Sequence, residues 1–428
     1  MKNKILFLGL VGFCFYLPFG IALSPANDVD LSSVRVLILG FFAAWIIAGL
    51  RNRDIRLPRS LSGLLIMSFL FLNAFSLFFA RNIDWSSRKL LFLFSVFPLY
   101  FIATNIITSQ ERRDNILKAL VWGGFFAAIL GIFQFSMQFV IGIDGVYGFW
   151  AKNVAPLFLG RAFSEAVLQN PSWLVDVSGK TLLRATATFP DPHMFSFFLG
   201  MLIPMALGLY MNSRKTIYAI ILTALILTDM LTFSRGGYLG LVAAAIALVA
   251  LFWRNISSRY KLGMIFLSVA LFLVMIIPGP ISSRFISSFD LNEGSNAGRL
   301  KIWKEAGEVI LEHPLFGVGL GNYPLEIKPT ASYREPIYAH SLYLDIATET
   351  GVLNSLIWIM LELALGYAFL LRAKEEPIYL FFFISILIFA THSLVEMPIY
   401  SPAVLSLFLI VASFDNPNLR KNEKISQS

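Results

Sequence analysis

Apolar runs dominate the chain, most of them long enough to cross about 30 Å of hydrocarbon as a helix, with short polar links between them. They fall near 5–23, 34–50, 61–80, 89–107, 116–142, 194–212, 216–233, 237–253, 261–279, 341–371, 377–393 and 399–414. This pattern predicts an all-α polytopic membrane protein of about twelve transmembrane helices, with residues 1–428 forming a single membrane domain. Two polar interruptions are long, 144–193 and 280–340. The second holds an amphipathic helix over about 297–312. Leu300, Trp303, Ala306 and Ile310 recur there at helical spacing, Ser295 or Asn296 can cap it, and His313-Pro314 stops it. The first run could serve as a secretory signal peptide, but its length and the span that follows directly favour a retained helix.

Composition sharpens the picture. Hydrophobic residues make up 57% of the chain and charged residues 14%, where a soluble protein sits near a quarter charged. The net charge of +8 raises nucleic acid as a partner, yet the basic residues are scattered through short links. With the N-terminus inside, nineteen lysines and arginines fall on inner segments and five on short outer ones. That asymmetry matches the positive-inside rule. It predicts cytoplasmic termini, puts both long polar segments outside, and argues against nucleic acid. The inner links show no phosphate loop and are too short for a nucleotide-binding domain, which argues against an ATP-driven pump. The lone Cys14 cannot form an internal disulfide.

The candidate chemistry lies on that outer side, where all four histidines also fall. Arg299, with Lys301 close behind, is expected in the first turn of the amphipathic helix. Cations there oppose the helix dipole, so the arrangement makes sense if an anion binds that end; the plainer reading is a solvated cation. Arg235 lies in LTFSRGGYLGL, where Gly236 and Gly237 are expected to form the turn between two spans. It can bind an anionic headgroup or merely snorkel to lipid phosphates. Arg184 and His193 flank TFPDP just before the sixth span, His193 being a ligand or an interfacial polar residue. His340 opens the tenth span; by residue type it is a candidate base, and by position an ordinary interfacial histidine. Asp345 and Glu349 share a helix face that His340 does not, and Arg235 or Arg299 could partner them. Asp28-Val29-Asp30 suggests metal only weakly. Asp229 and Glu362 read as internal helix–helix partners, and Gly317, Gly319 and Gly321 as a turn.

Several segments together resemble the bacterial O-antigen ligase/polymerase family: RATATFPDPH, TFSRGGYLG, GRLKIWKEAGEVILEHPLFGVGLGNY and AHSLYLDIATETGVLN. The likeness covers about 180–355, and the flanking spans match only in number and hydropathy. It implies a GT-C-like membrane glycosyltransferase of the bacterial inner membrane with a periplasmic active site. The donor would be an undecaprenyl-diphosphate-linked glycan and the acceptor a glycolipid such as lipid A-core, or another glycan. By the same resemblance His340 would be catalytic, and Arg235, Arg299 and Arg184 would bind the diphosphate. Family members often have asparagine where His193 stands. Lys301, His193, Asp345 and Glu349 complete the candidate set, and neither metal nor cofactor is implied. A polymerase would use the same chemistry on a lipid-linked acceptor. A flippase would instead carry ionisable residues and broken helices near the midplane of both halves. A structural assembly partner would tolerate loss of Arg235, Arg299 and His340.

Overall fold

The computed structural model describes residues 2–26, 29–52, 60–168, 172–177, 179–252, 279–287, 290, 294–333, 335, 337–416 and 419. Among the described residues the fold is 77% helix with no closed sheet. Among these residues six helical stretches are long and apolar enough to cross a membrane: Ser33–Arg51, Leu61–Phe79, Ile83–Ile106, Gln110–Leu159, Pro192–Ser213 and Val352–Ala373. Five shorter apolar helices accompany them, Lys4–Phe19, Thr216–Leu231, Arg235–Leu251, Ile378–Ser393 and Pro402–Ser413. These eleven stretches account for eleven of the twelve apolar runs; of the remaining run, residues 261–278 lie outside the described residues, as do Asp28 and residues 420–428.

The all-helical expectation needs one correction, because two antiparallel hairpins are present. Strands β1 (Ala22–Ala26) and β2 (Val29–Ser32) pair, as do β3 (Leu174–Val177) and β4 (Lys180–Leu183). A second correction concerns 341–371, which is two helices. Gly351 sits at φ 90°, where a side chain would collide with the Leu315 backbone, and the chain breaks there.

The helices that position the site are α1 (Lys2–Tyr16), α2 (Ser33–Asn52), α3 (Leu61–Phe75), α4 (Ile83–Val96), α5 (Pro98–Ile106) and α6 (Gln110–Phe149), then α7 (Ala155–Leu159) and α8 (Arg161–Leu168). The core follows with α9 (Pro192–Ser213), α10 (Thr216–Leu231) and α11 (Arg235–Phe252). Next come the short α12 (Pro280–Ile286), α13 (Gly294–Glu312) and α14 (Tyr323–Ile327), then α15 (Leu342–Thr350), α16 (Val352–Ala373), α17 (Ile378–Ser393) and α18 (Pro402–Ser413). Helix α9 is the buried centre, packed against α6, α10, α11, α17 and α18. Its sequence carries apolar side chains on every face, so it needs protein on every face.

Close approach of α11 to its neighbours requires the glycine pair in RGGYLG. A β-carbon on Gly236 would strike the His392 ring, and one on Gly237 the Ser196 hydroxyl. The expectation that these glycines form the turn is therefore wrong. The turn is Thr232–Ser234, with Phe233 at φ 50°, and the glycines lie inside α11 as packing positions. Helix α6 passes the end of its predicted span at Gly142, where φ is 77° and the helix kinks, and continues to Phe149.

Candidate active site

Three chain reversals converge at one end of the bundle: the approach to α9, the α10–α11 turn and the α17–α18 turn. Asp191 caps α9, accepting the His193 and Met194 N–H groups on one carboxylate oxygen at 2.8 and 2.9 Å, while Pro192 needs no such partner. The strand-like approach is held by α6. Gln134 accepts the N–H groups of Thr186 and Ala187, and Gln138 brackets Leu183 from both sides.

Ser234, in the α10–α11 turn, lies 3.0 Å from His193 Nδ1 and 3.2 Å from His392 Nε2. The His392 ring stacks on Phe197, with centroids 3.6 Å apart and planes 4° from parallel. Four residues past His392, Glu396 projects into the centre of the cluster and is only 5% exposed. Arg299 Nη2 donates to its Oε1 at 2.5 Å, and His193 Nδ1 stands 3.6 Å from the same atom. His340 Nδ1 is 3.7 Å from Oε2, an ion-pair distance too long for a hydrogen bond. The Glu396 backbone carbonyl also accepts the Leu342 N–H, which fastens the start of α15 to this turn.

Burial alone would raise the Glu396 carboxyl. The adjoining imidazoles of His193 and His340, with the Arg299 guanidinium, outweigh that and hold it well below the usual carboxylate range. Glu396 is thus a negative charge held beside the Arg299 guanidinium and two imidazoles. His340 occupies the left-handed region at φ 48°, a costly conformation for a non-glycine residue. Its Nδ1 is buried while its side chain keeps 28% of its surface open, and the Tyr338 ring lies 4.4 Å away.

Arg235 opens α11 and reaches across to the second polar segment. Its Nη1 donates to Asn296 Oδ1 and its Nη2 to Ser287 Oγ, both at 2.9 Å. Asn296 and Arg299 are three apart on α13, so Arg235 meets that helix on the face that carries Arg299. This moves two expectations. Helix α13 starts at Gly294, so Arg299 lies in the second turn rather than the first, and Asn296 lies inside the helix. Its side-chain N–H groups go to the Ser287 and Asp290 carbonyls. A helix-dipole anion site therefore does not describe Arg299; its neighbour is a carboxylate. Leu300 faces outward, whereas Ala306 and Val309 are buried against Val318, Tyr323 and Ala339.

Arg184 is buried, with its donors spent on backbone. Nε bonds the Thr232 carbonyl at 2.7 Å, Nη1 the Ser172 carbonyl at 2.9 Å, and Nη2 the Phe233 carbonyl at 3.3 Å. It braces the α10–α11 turn and touches His193 Nε2 at 3.4 Å. Lys301 is not drawn in. Its side chain is 79% exposed and pairs with Glu305 along the helix. Neither Arg235 nor Arg299 partners Glu349, which binds Lys89 at 2.5 Å. Asp345 accepts the Ala339 N–H at 3.0 Å.

Asp30 accepts Ser24 Oγ and the Phe163 N–H, tying the β1–β2 hairpin to α8. Asp229 accepts from Ser196, and Glu362 from Tyr343 and Trp358, as internal partners should. Gly317, Gly319 and Gly321 all have positive φ, as a turn requires. Among the described residues, the one group with metal-ligand spacing is the exposed Glu312, His313 and Glu326, none of them a member of this cluster.

Sequence reasoning missed Glu396, Ser234 and His392. The first could have been found by asking which acids lie in short links beside candidate cations, since THSLVEMPIY carries one acid between two apolar runs. Residues 218–359 match the model of a family described as O-antigen ligase, which bears out the resemblance over that stretch. No curated protein matches the chain.

Proposed function

We propose, with the O-antigen ligase family match over residues 218–359 as premise, that this multi-pass membrane protein transfers a glycan from undecaprenyl diphosphate to an acceptor hydroxyl. Ligase or polymerase chemistry in lipopolysaccharide biosynthesis is the family's general activity. The observation that carries the finer reading is Glu396, which gathers Arg299, His340 and His193 from three distant stretches at one end of the bundle. In this reading that end is periplasmic, both termini are cytoplasmic, and about twelve helices span the inner membrane.

His340 is the general base. Glu396 faces its Nδ1, which favours the Nδ1–H tautomer, leaves Nε2 to take the acceptor proton, and steadies the imidazolium that forms. The deprotonated hydroxyl attacks the anomeric carbon from the side opposite the diphosphate. The carbon–oxygen bond to the lipid breaks, its electron pair leaves with undecaprenyl diphosphate, and configuration inverts. Arg235 and Arg299 bind the departing diphosphate. The Glu396 bond uses one of the five guanidinium N–H groups of Arg299, and planar forks suit phosphate oxygens. Arg184 acts as a brace for the turn that carries Arg235, not as a ligand. No residue of this set requires a metal ion.

The test is purified protein in vesicles with a lipid-linked glycan donor and, separately, lipid A-core or a second donor as acceptor. Transfer to lipid A-core supports a ligase, growth of the lipid-linked chain a polymerase. No transfer to either overturns the reading.

A further inference from the structure

A cationic side chain outside the Glu396 cluster is tied to the backbone that holds His340. Lys89, in α4, sends its ammonium into α15 to meet Glu349 Oε1 at 2.5 Å. It also lies over the Tyr400 ring, 4.5 Å from the centroid. Glu349 and Asp345 are four apart on α15 and both buried, so their like charges repel along one helix face. Asp345 in turn accepts the N–H of Ala339, the residue just before His340, at 3.0 Å. That is the point where the chain must enter the left-handed conformation at φ 48°.

We propose that Lys89 is a positioning residue for His340, acting through Glu349 and Asp345. It balances the two buried acids, which keeps the Asp345 carboxylate seated on the Ala339 N–H and the imidazole aimed at its target. The plainer alternative is a strut that only joins α4 to α15. The two differ in consequence: a strut, once lost, loosens the fold, whereas a positioning residue misaims one ring. The catalytic part of this inference rests on the glycosyl-transfer reading above, while the geometric part does not.

The experiment compares wild type, Lys89→Met, Lys89→Arg and the double variant Lys89→Met/Glu349→Gln, each in vesicles. Initial rates of glycan transfer are measured against donor concentration. In parallel, diethyl pyrocarbonate modification of His340 is followed by peptide mass spectrometry. Misplacing a catalytic group by about an ångström costs up to about 100-fold, so Lys89→Met should lower kcat roughly 10–100-fold and leave the donor KM within about twofold. Lys89→Arg, which keeps the charge, and the double variant, which removes the repulsion together with its balance, should both recover to within about threefold of wild type. His340 modification should change in Lys89→Met and return in the double variant. An unchanged kcat or an unchanged modification rate in Lys89→Met overturns the proposal, as does a double variant no better than the single one. If wild type transfers no glycan, the functional reading fails, and the modification rates still decide whether Lys89 sets the His340 geometry.

Discussion

Arg299 and Glu396 meet in a 2.5 Å ion pair across 97 positions of sequence, joining the amphipathic helix of the second polar segment to the link between the last two apolar helices. Both side chains are largely buried, at 15% and 7% exposure, so the pair is shielded from solvent screening. It connects the elements that carry the proposed chemistry, and its removal is the sharpest probe of them.

Glu396→Ala should leave Arg299 uncompensated beside two imidazoles. Removing one partner of a buried pair costs about 3 kcal/mol or more, and the expected loss is near that lower figure because Arg299 keeps some solvent access. Thermal unfolding in detergent reads it. A shift too small to resolve would show that the pair does not hold α13 in place.

Glu396 also sets a pH dependence. A carboxyl whose folded pKa is depressed adds stability above its unfolded value, about 4.3, and loses it as pH falls through the folded value. The midpoint difference between wild type and Glu396→Gln should therefore be full at pH 7 and at pH 5, and shrink only below about pH 4. A difference that already collapses between pH 7 and pH 5 would contradict this assignment.

His340→Ala should slow glycan transfer by about 10²–10⁴-fold, the usual range for a lost general base, with membrane insertion intact. Full activity in that variant would remove His340 from the mechanism.

Arg299→Lys and Arg235→Lys should each lose most of the transfer activity. An ammonium supplies a point charge, whereas Arg235 uses its fork on two partners, Asn296 and Ser287, and in the proposed mechanism Arg299 turns its remaining N–H groups to phosphate. Donor titrations should show the loss chiefly as a raised KM. If lysine serves equally well at either position, bidentate phosphate recognition is not its task.

Chelation offers an independent check. Transfer measured with excess EDTA should equal the untreated rate, since no ligand set lies among the residues given roles here. A chelator-sensitive rate restored by a divalent cation would redirect attention to Asp30 or to the exposed Glu312, His313 and Glu326.

What the linear pattern determined was the helical membrane architecture and several of its punctuation marks. Eleven of the twelve apolar runs coincide with helices, α6 kinks at Gly142 where its span was expected to end, and α13 stops before His313. Such features are local: they follow from side-chain polarity and backbone freedom within a few residues. Which charges meet was decided only in three dimensions. Glu349 lies 260 positions from Lys89, and no spacing rule pairs them. Glu396 looked like an unremarkable acid in a short link until α17 placed it between two histidines and Arg299. The glycines after Arg235 read as a turn because glycine permits one, yet the need for α11 to press against His392 and Ser196 claimed them first. Burial raises the cost of an unpaired charge, so packing chooses the partners, and packing is a property of the whole chain.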